Sequence, residues 1–201
     1  RDLPDRHRTL RSAISRSYDL LNSDERRLFS RLGVFVGGFT LASAEAVCNA
    51  AQDIATLMLD GLESLLDKSL LKLSEEADSD SDKTEETRYV MLEMIREYSL
   101  EQLRAMGEDE VTRRFHAEYF LSLATSLDLS VVGESERLLC IQLDRNHDNL
   151  RAALSWTLEE GDNLDLASQL GITLARYWEL RGHFAEGLQW LLRIISAGAK
   201  S

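Results

Sequence analysis

Proline occurs once in 201 residues and cysteine twice, and aromatic residues make up only 7% of the chain. These shortages exclude whole classes of protein. A chain with a single proline is neither collagen-like nor a proline-rich linker, and Cys48 and Cys140, with no CxxC neighbour, make no disulfide framework or zinc knuckle. Each cysteine sits in an apolar helical pattern and reads as core. No run approaches about 18 consecutive apolar residues, and Arg1 to Arg11 is charged throughout, so a membrane span and a secretory signal are both excluded. The expected compartment is the cytoplasm.

Catalytic and ligand-binding signatures are missing too. There is no GxxxxGKS or GxxxxGKT and no glycine-rich turn to cradle phosphates, so this segment is not expected to hold a nucleotide unaided. His7, His116, His147 and His183 are scattered, with no HExxH, no GxSxG and no Cys and His at ligand spacing. Adjacent helical residues point about 100° apart, so His147-Asp148 reads as ordinary helix surface and not as a dyad. No catalytic residue, metal ligand or cofactor site is expected, and the segment reads as non-enzymatic.

What is present is helix-forming sequence with 44% hydrophobic and 29% charged residues, a composition in which one sizeable core or two small ones can form. The net charge is -12, and residues 69–110 carry 5 basic against 13 acidic groups, whereas 1–68 carry 9 against 10 and 111–201 carry 9 against 12. Ser74 to Thr87, with seven carboxylates and one lysine, supplies half of that excess. An apolar-free run of like charge predicts a flexible, solvated loop, or a docking site for a basic partner.

Periodicity places the helices. Thr9 is positioned to cap a helix from Leu10 to Leu21, with Ile14 and Tyr18 on its stripe. Asn22 and Ser23 then open a second, with Asp24 and Glu25 where the helix dipole favours acids and Leu28, Phe29, Leu32 and Phe35 as its buried face, until Gly37-Gly38. Thr40 opens a third, and Asp53 a fourth with Ile54, Leu57, Met58, Leu62, Leu65 and Leu66. Leu70, Leu71 and Leu73 on one side of the acidic run and Tyr89, Val90 and Leu92 on the other predict a β-hairpin. Helices followed by a hairpin is the order of a winged helix with the acidic loop at its tip. Further helices are predicted from Met94 to Gly107, Val111 to Leu127, Ser135 to Gly161, Leu164 to Arg181 and Phe184 to Ile195. The last pair alternates large and small residues (Leu170, Leu174, Trp178, Gly182, Gly187, Trp190, Leu191) as stacked helix-turn-helix units do, and predicts an exposed apolar face at 184–195.

The runs Leu3-Pro4-Asp5-Arg6-His7-Arg8-Thr9-Leu10, Ser17-Tyr18-Asp19-Leu20-Leu21, Leu32-Gly33-Val34-Phe35-Val36-Gly37-Gly38-Phe39, Leu65-Leu66-Asp67-Lys68-Ser69-Leu70-Leu71 and Tyr89 to Tyr98, with His147-Asp148-Asn149-Leu150-Arg151-Ala152-Ala153-Leu154, cover nearly the whole chain. Together they resemble the region after the nucleotide-binding domain of bacterial STAND (NB-ARC-type) signalling ATPases, the AfsR-like and LuxR-like regulators. The resemblance implies a mainly α chain: residues 1–8 a linker from a nucleotide-binding domain, 9–107 a winged helix with a wing loop at 74–87, and 108–201 the start of a tetratricopeptide-like array. It implies ATP or ADP in a nucleotide-binding domain outside this segment, an effector domain, and missing parts on both sides. The implied partners are those two domains and a protein or small-molecule inducer on the helical array.

Where relatives carry Met-His-Asp near the nucleotide, this sequence has Met91-Leu92-Glu93. A leucine cannot hydrogen-bond a phosphate, while Glu93 keeps the acid. Arg6, Leu92, Glu93 and Arg96 are the candidate inter-domain switch contact. Trp178, Phe184 and Trp190 are the candidate protein-interaction surface; with Trp156 and Tyr177 they read either as core or as a groove for a ligand or peptide. Two other roles stay open: a stand-alone DNA-binding transcription factor and a helical protein-binding scaffold. Charge weighs against DNA, because the helix before the wing carries Asp60, Glu63 and Asp67 against Lys68. The arginines Arg6, Arg8, Arg11, Arg16, Arg26, Arg27 and Arg31 read as a solvated face or a basic patch.

Overall fold

The computed structural model describes residues 5–74, 87–126, 134–159 and 163–199, with the backbone alone at 5–8, 134–135 and 138. The predicted acidic wing tip therefore falls almost wholly outside the described residues. The chain divides into two units, Arg1–Thr112 and Arg113–Ser201.

The first unit contains α1 (Asp5–Asp19), α2 (Ser23–Leu32), β1 (Phe39–Thr40), α3 (Leu41–Cys48), α4 (Met58–Asp67), β2 (Lys72–Leu73), β3 (Arg88–Val90) and α5 (Glu93–Ala105). It is a winged helix whose sheet has three strands, in the order β1-β3-β2 and antiparallel throughout. The predicted hairpin is there, with Leu73 opposite Tyr89, and Phe39 opposite Tyr89 adds a strand that periodicity did not reveal. A two-residue strand is too short to alternate visibly.

Local chemistry sets most ends. Asn22 Oδ1 accepts from the Glu25 backbone N–H while the Glu25 carboxylate accepts from the Asn22 N–H, a reciprocal box that starts α2. Thr40 and Ser43 form the same device on α3. Three predicted boundaries are corrected. Thr9 lies inside α1, which begins at Asp5. Helix α2 stops at Gly33, and the buried Phe35, in the loop beyond, meets Phe39 in a tilted ring contact with centroids 4.9 Å apart. Asp53 caps nothing: α4 begins at Met58, and the Asp53 carboxylate is drawn away to Arg31 at 2.6 Å.

The core lies between α2 and α5 and spreads to α1, α3 and α4. Tyr18, Phe29 and Tyr98 meet with centroids 5.5 to 6.4 Å apart, and Leu28, Leu32, Leu62, Leu65 and Leu103 are fully buried. Gly33 lets the end of α2 close on α5, where an added Cβ would strike the Ser99 hydroxyl and approach the Leu100 amide at 3.2 Å.

The chain continues through α6 (Asp109–Ser126), within which the two units divide, to α7 (Glu134–Arg145), α8 (His147–Glu159), α9 (Leu164–Arg181) and α10 (Phe184–Gly198). The single helix predicted over 135–161 is two. Asn146 makes the break: its side-chain amide donates to the Gln142 carbonyl at 2.9 Å, so its own N–H turns to Leu143 at 3.1 Å. Asn163 caps α9 on the Leu166 N–H, and Gly182, at φ 72°, ends it in the left-handed region that suits glycine. Gly187 rests against the Trp178 ring, 2.8 Å from its nearest carbon to an added Cβ, so α9 and α10 pack closely.

Candidate functional site

Helix α4 precedes the wing, where a DNA-reading winged helix places its recognition helix in the major groove. Met58, Gly61, Leu62 and Leu65 turn inward, which leaves Leu59, Asp60, Glu63 and Asp67 on the outer face. That periodicity was legible in the sequence. Lys68 does not offset the acids, because its Nζ reaches Glu25 at 3.4 Å and the Ser64 hydroxyl. Lys72 on β2 is the exposed cation that follows. Three carboxylates on one face repel a phosphate backbone and attract a basic surface.

The predicted switch residues Leu92, Glu93 and Arg96 come together at the start of α5. Leu92 is its N-cap and is half exposed, while Arg96 donates to Glu93 at 2.8 and 3.0 Å and reaches the Gly33 carbonyl at 3.4 Å. The Arg96 guanidinium holds the Glu93 carboxyl below its usual range. Arg6 lies in α1, and its side chain is outside the described residues.

Of the arginines predicted as a solvated face or a basic patch, Arg31 is buried, Arg11, Arg26 and Arg27 are half-buried and engaged, Arg16 is exposed, and the side chains of Arg6 and Arg8 lie outside the described residues. Arg31 is only 7% exposed and donates to Asp53 at 2.6 and 2.7 Å, to Glu108 at 2.8 Å and to the Cys48 carbonyl at 2.7 Å. Burial opposes its charge, yet the two carboxylates more than compensate and hold its pKa above the ordinary arginine value. Arg27 joins the same carboxylates at 3.4 and 3.3 Å. Arg26 lies over the Tyr18 ring, 5.2 Å from its centroid, and Arg11 pairs with Glu101.

In the second unit the candidate aromatics separate. Trp156, Tyr177 and Trp178 are buried core, Trp190 is partly buried, and Phe184 is 65% exposed. Phe184 heads a solvent-facing stripe with Leu188, Leu192 and Ile195, the apolar face predicted for 184–195. Sequence reasoning missed one cluster entirely. His147 Nδ1 stands 2.8 Å from the Tyr177 hydroxyl, and its Nε2 lies 3.0 and 3.1 Å from the two Glu186 oxygens. Tyr177 donates to Asp144 at 2.8 Å, and Arg151 clasps Glu186 at 2.6 and 2.7 Å. Arg151 first, and then His147, hold the Glu186 carboxyl down to about 2 against the opposing effect of burial. Burial and then Asp144 push the Tyr177 phenol far above its usual range. These partners are 30 to 39 residues apart in sequence, so no local pattern connects them. Among the described residues no group of three His, Cys, Asp or Glu side chains is placed to hold a metal ion, and no helix is long and apolar enough to cross a membrane.

Comparison with known proteins bears on the first unit above all. Residues 21–104 match the family model described as a winged helix-turn-helix domain. The chain is 40% identical over 190 residues to Rv0890c of Mycobacterium tuberculosis (strain H37Rv), a span that is 94% of this chain and 20% of that protein. Mb0914c of Mycobacterium bovis gives the same figures, and both names carry the words HTH-type transcriptional regulator. Rv0894, an uncharacterized protein of Mycobacterium tuberculosis, is 33% identical over 109 residues, 53% of this chain and 26% of its own length. The chain thus spans about a fifth of the length of the first of these relatives. No solved structure matches. Helix order, sheet order and the matched span agree that residues 21–104 form a winged helix-turn-helix domain, in a chain homologous to proteins named as HTH-type transcriptional regulators.

Proposed function

We propose that this chain is a non-catalytic regulatory segment of a larger transcriptional regulator of the STAND type, and that its winged helix works by contact with protein. In this scheme the winged helix packs on a nucleotide-binding domain that holds ATP or ADP elsewhere in the protein. Leu92, Glu93, Arg96 and Arg6 belong to that contact, and the helical unit, the start of a tetratricopeptide-like array, carries the sensed signal.

One observation carries the preference for protein over DNA: the outer face of α4 presents Asp60, Glu63 and Asp67, and Lys68 is occupied by Glu25. A winged helix that reads duplexes needs cations there. The names of the relatives favour a second role, direct DNA binding through this domain. Fluorescence anisotropy with duplex DNA, at low and at physiological salt, separates the two. We expect no binding at low salt, where phosphate contacts are strongest. Tight, sequence-dependent binding that survives physiological salt would overturn the protein-contact role.

A further inference from the structure

Counting protons around His147 gives a result that is independent of the role proposed above. Tyr177 has one hydroxyl proton, and it points to Asp144, whose carboxylate also takes the Arg181 Nε–H at 3.1 Å. An ionised carboxylate only accepts. Toward His147, therefore, the Tyr177 oxygen has only a lone pair to offer, and Nδ1 must donate. Nε2 faces both oxygens of Glu186, which Arg151 keeps ionised, so Nε2 must donate as well. Only an imidazolium donates from both nitrogens.

Charged groups face this ring from every neighbouring element. Asp144 on α7 and Glu186 on α10 favour the second proton. Arg151 on α8, Arg181 on α9, the His183 ring 5.1 Å away and the positive end of the α8 dipole oppose it. The hydrogen bonds decide, because each neutral tautomer breaks one. With hydrogen on Nδ1 alone, the Nε2 lone pair would meet a carboxylate. With hydrogen on Nε2 alone, Nδ1 becomes an acceptor, and the Tyr177 hydroxyl must turn from Asp144 to satisfy it.

We propose that His147 is a proton-operated lock on one bond of the helical unit: doubly protonated, it leaves Tyr177 bonded to Asp144, beside the Arg181–Asp144 and Arg176–Glu136 pairs that also join α9 to α7, and on losing the Nδ1 proton to solvent it draws the Tyr177 hydroxyl to itself and releases that one bond. The bond to Glu186 persists in both states, so α10 stays attached to α8 while the hold on α7 changes. No covalent bond changes; one proton leaves and one hydroxyl turns.

Long-range proton–nitrogen NMR of the histidine side chains in the 201-residue chain tests this, with His147→Gln to assign the signal. In the doubly protonated state both His147 nitrogens should carry hydrogen, and where a pH series removes the second proton the Nδ1 signal should become that of an acceptor. Amide-exchange protection of α7, corrected for intrinsic rates, should then fall about tenfold, the equivalent of one hydrogen bond to a charged group. In Tyr177→Phe, which has no hydroxyl to turn, α7 protection should be independent of that titration. A His147 that stays singly protonated at every pH at which the chain is folded overturns the lock, as does α7 protection that stays flat while the second proton is lost. Should the phenylalanine variant fail to fold, the wild-type spectra and exchange decide alone.

Discussion

Each unit holds a nitrogen-bearing side chain against carboxylates, a guanidinium in the first and an imidazole in the second. In the winged helix Arg31 joins Asp53 and Glu108, which come from a loop and from just before α6. In the helical unit His147 links Tyr177, Asp144 and Glu186 across α7, α9 and α10. A guanidinium keeps its charge across the working range, so the first cluster is a fixed brace. An imidazole can donate from one nitrogen or from both, so the second cluster is the one that the proposed lock can release. Similar architecture serves permanence in one unit and adjustment in the other.

The sharpest way to break the comparison is to remove the fixed brace. Arg31→Met should destabilise the first unit by about 3 kcal/mol, the lower end for losing one partner of a buried pair, because Asp53 remains near solvent. Urea unfolding followed by circular dichroism reads this, while tryptophan fluorescence isolates the other unit, since Trp156, Trp178 and Trp190 all lie there. A loss below about 1 kcal/mol would reduce Arg31 to an ordinary surface pair.

Close packing offers a matched pair of tests. Gly33→Ala and Gly187→Ala should each cost about 1–3 kcal/mol by overpacking, the first against Ser99 and the second against the Trp178 ring. Gly33→Ala should be the more damaging, because the Ser99 hydroxyl is fixed on the Arg96 carbonyl at 2.8 Å and the Leu100 backbone lies behind it. Equal tryptophan transitions in wild type and Gly187→Ala would refute the tight α9–α10 seam.

Acid should weaken both clusters. A carboxyl whose folded pKa is depressed contributes stability above its unfolded pKa and loses it as pH falls through the folded value. For Glu186 the window runs from the ordinary glutamate range down to about 2, and Asp53, depressed chiefly by its bonds to Arg31, follows the same sign. Glu186→Gln should flatten the acid limb of the tryptophan-monitored midpoint and leave the first unit's limb intact. Base should leave the Arg31 brace unchanged, since a guanidinium stays charged. The smallest effect is expected at the exposed pair Arg11–Glu101, where Arg11→Ala should change stability by about 0.5 kcal/mol and less in high salt.

Much of the fold was legible because its signals are local. The caps at Asn22 and Thr40, the stripe of Leu28, Phe29 and Leu32, and the breaks at Gly182 and between the strands all act within a few residues of themselves. The α4 face was legible for the same reason, since Asp60, Glu63 and Asp67 recur at helical spacing. The Glu93–Arg96 pair at the start of α5 is a finding of the structure, since the resemblance marks the two residues and not their pairing. Asp53 misled, being a good cap by type that a distant arginine had already engaged. Asn146 misled in the other direction, since an asparagine inside an apolar period gives little warning that its side chain will take the Gln142 carbonyl.

By itself, then, the sequence determined the order of most helices and of the β2–β3 hairpin, many of their ends, the acidity of α4 and the bare apolar stripe of α10, because each depends on neighbours along the chain. Tertiary structure decided the rest. It brought Arg31 to Asp53 and to Glu108 across 22 and 77 residues, paired Phe39 with Tyr89, and gathered His147, Tyr177 and Glu186 from three helices. Which charge is buried, which is paired and which proton is held depend on distances in space, and no short-range periodicity encodes them.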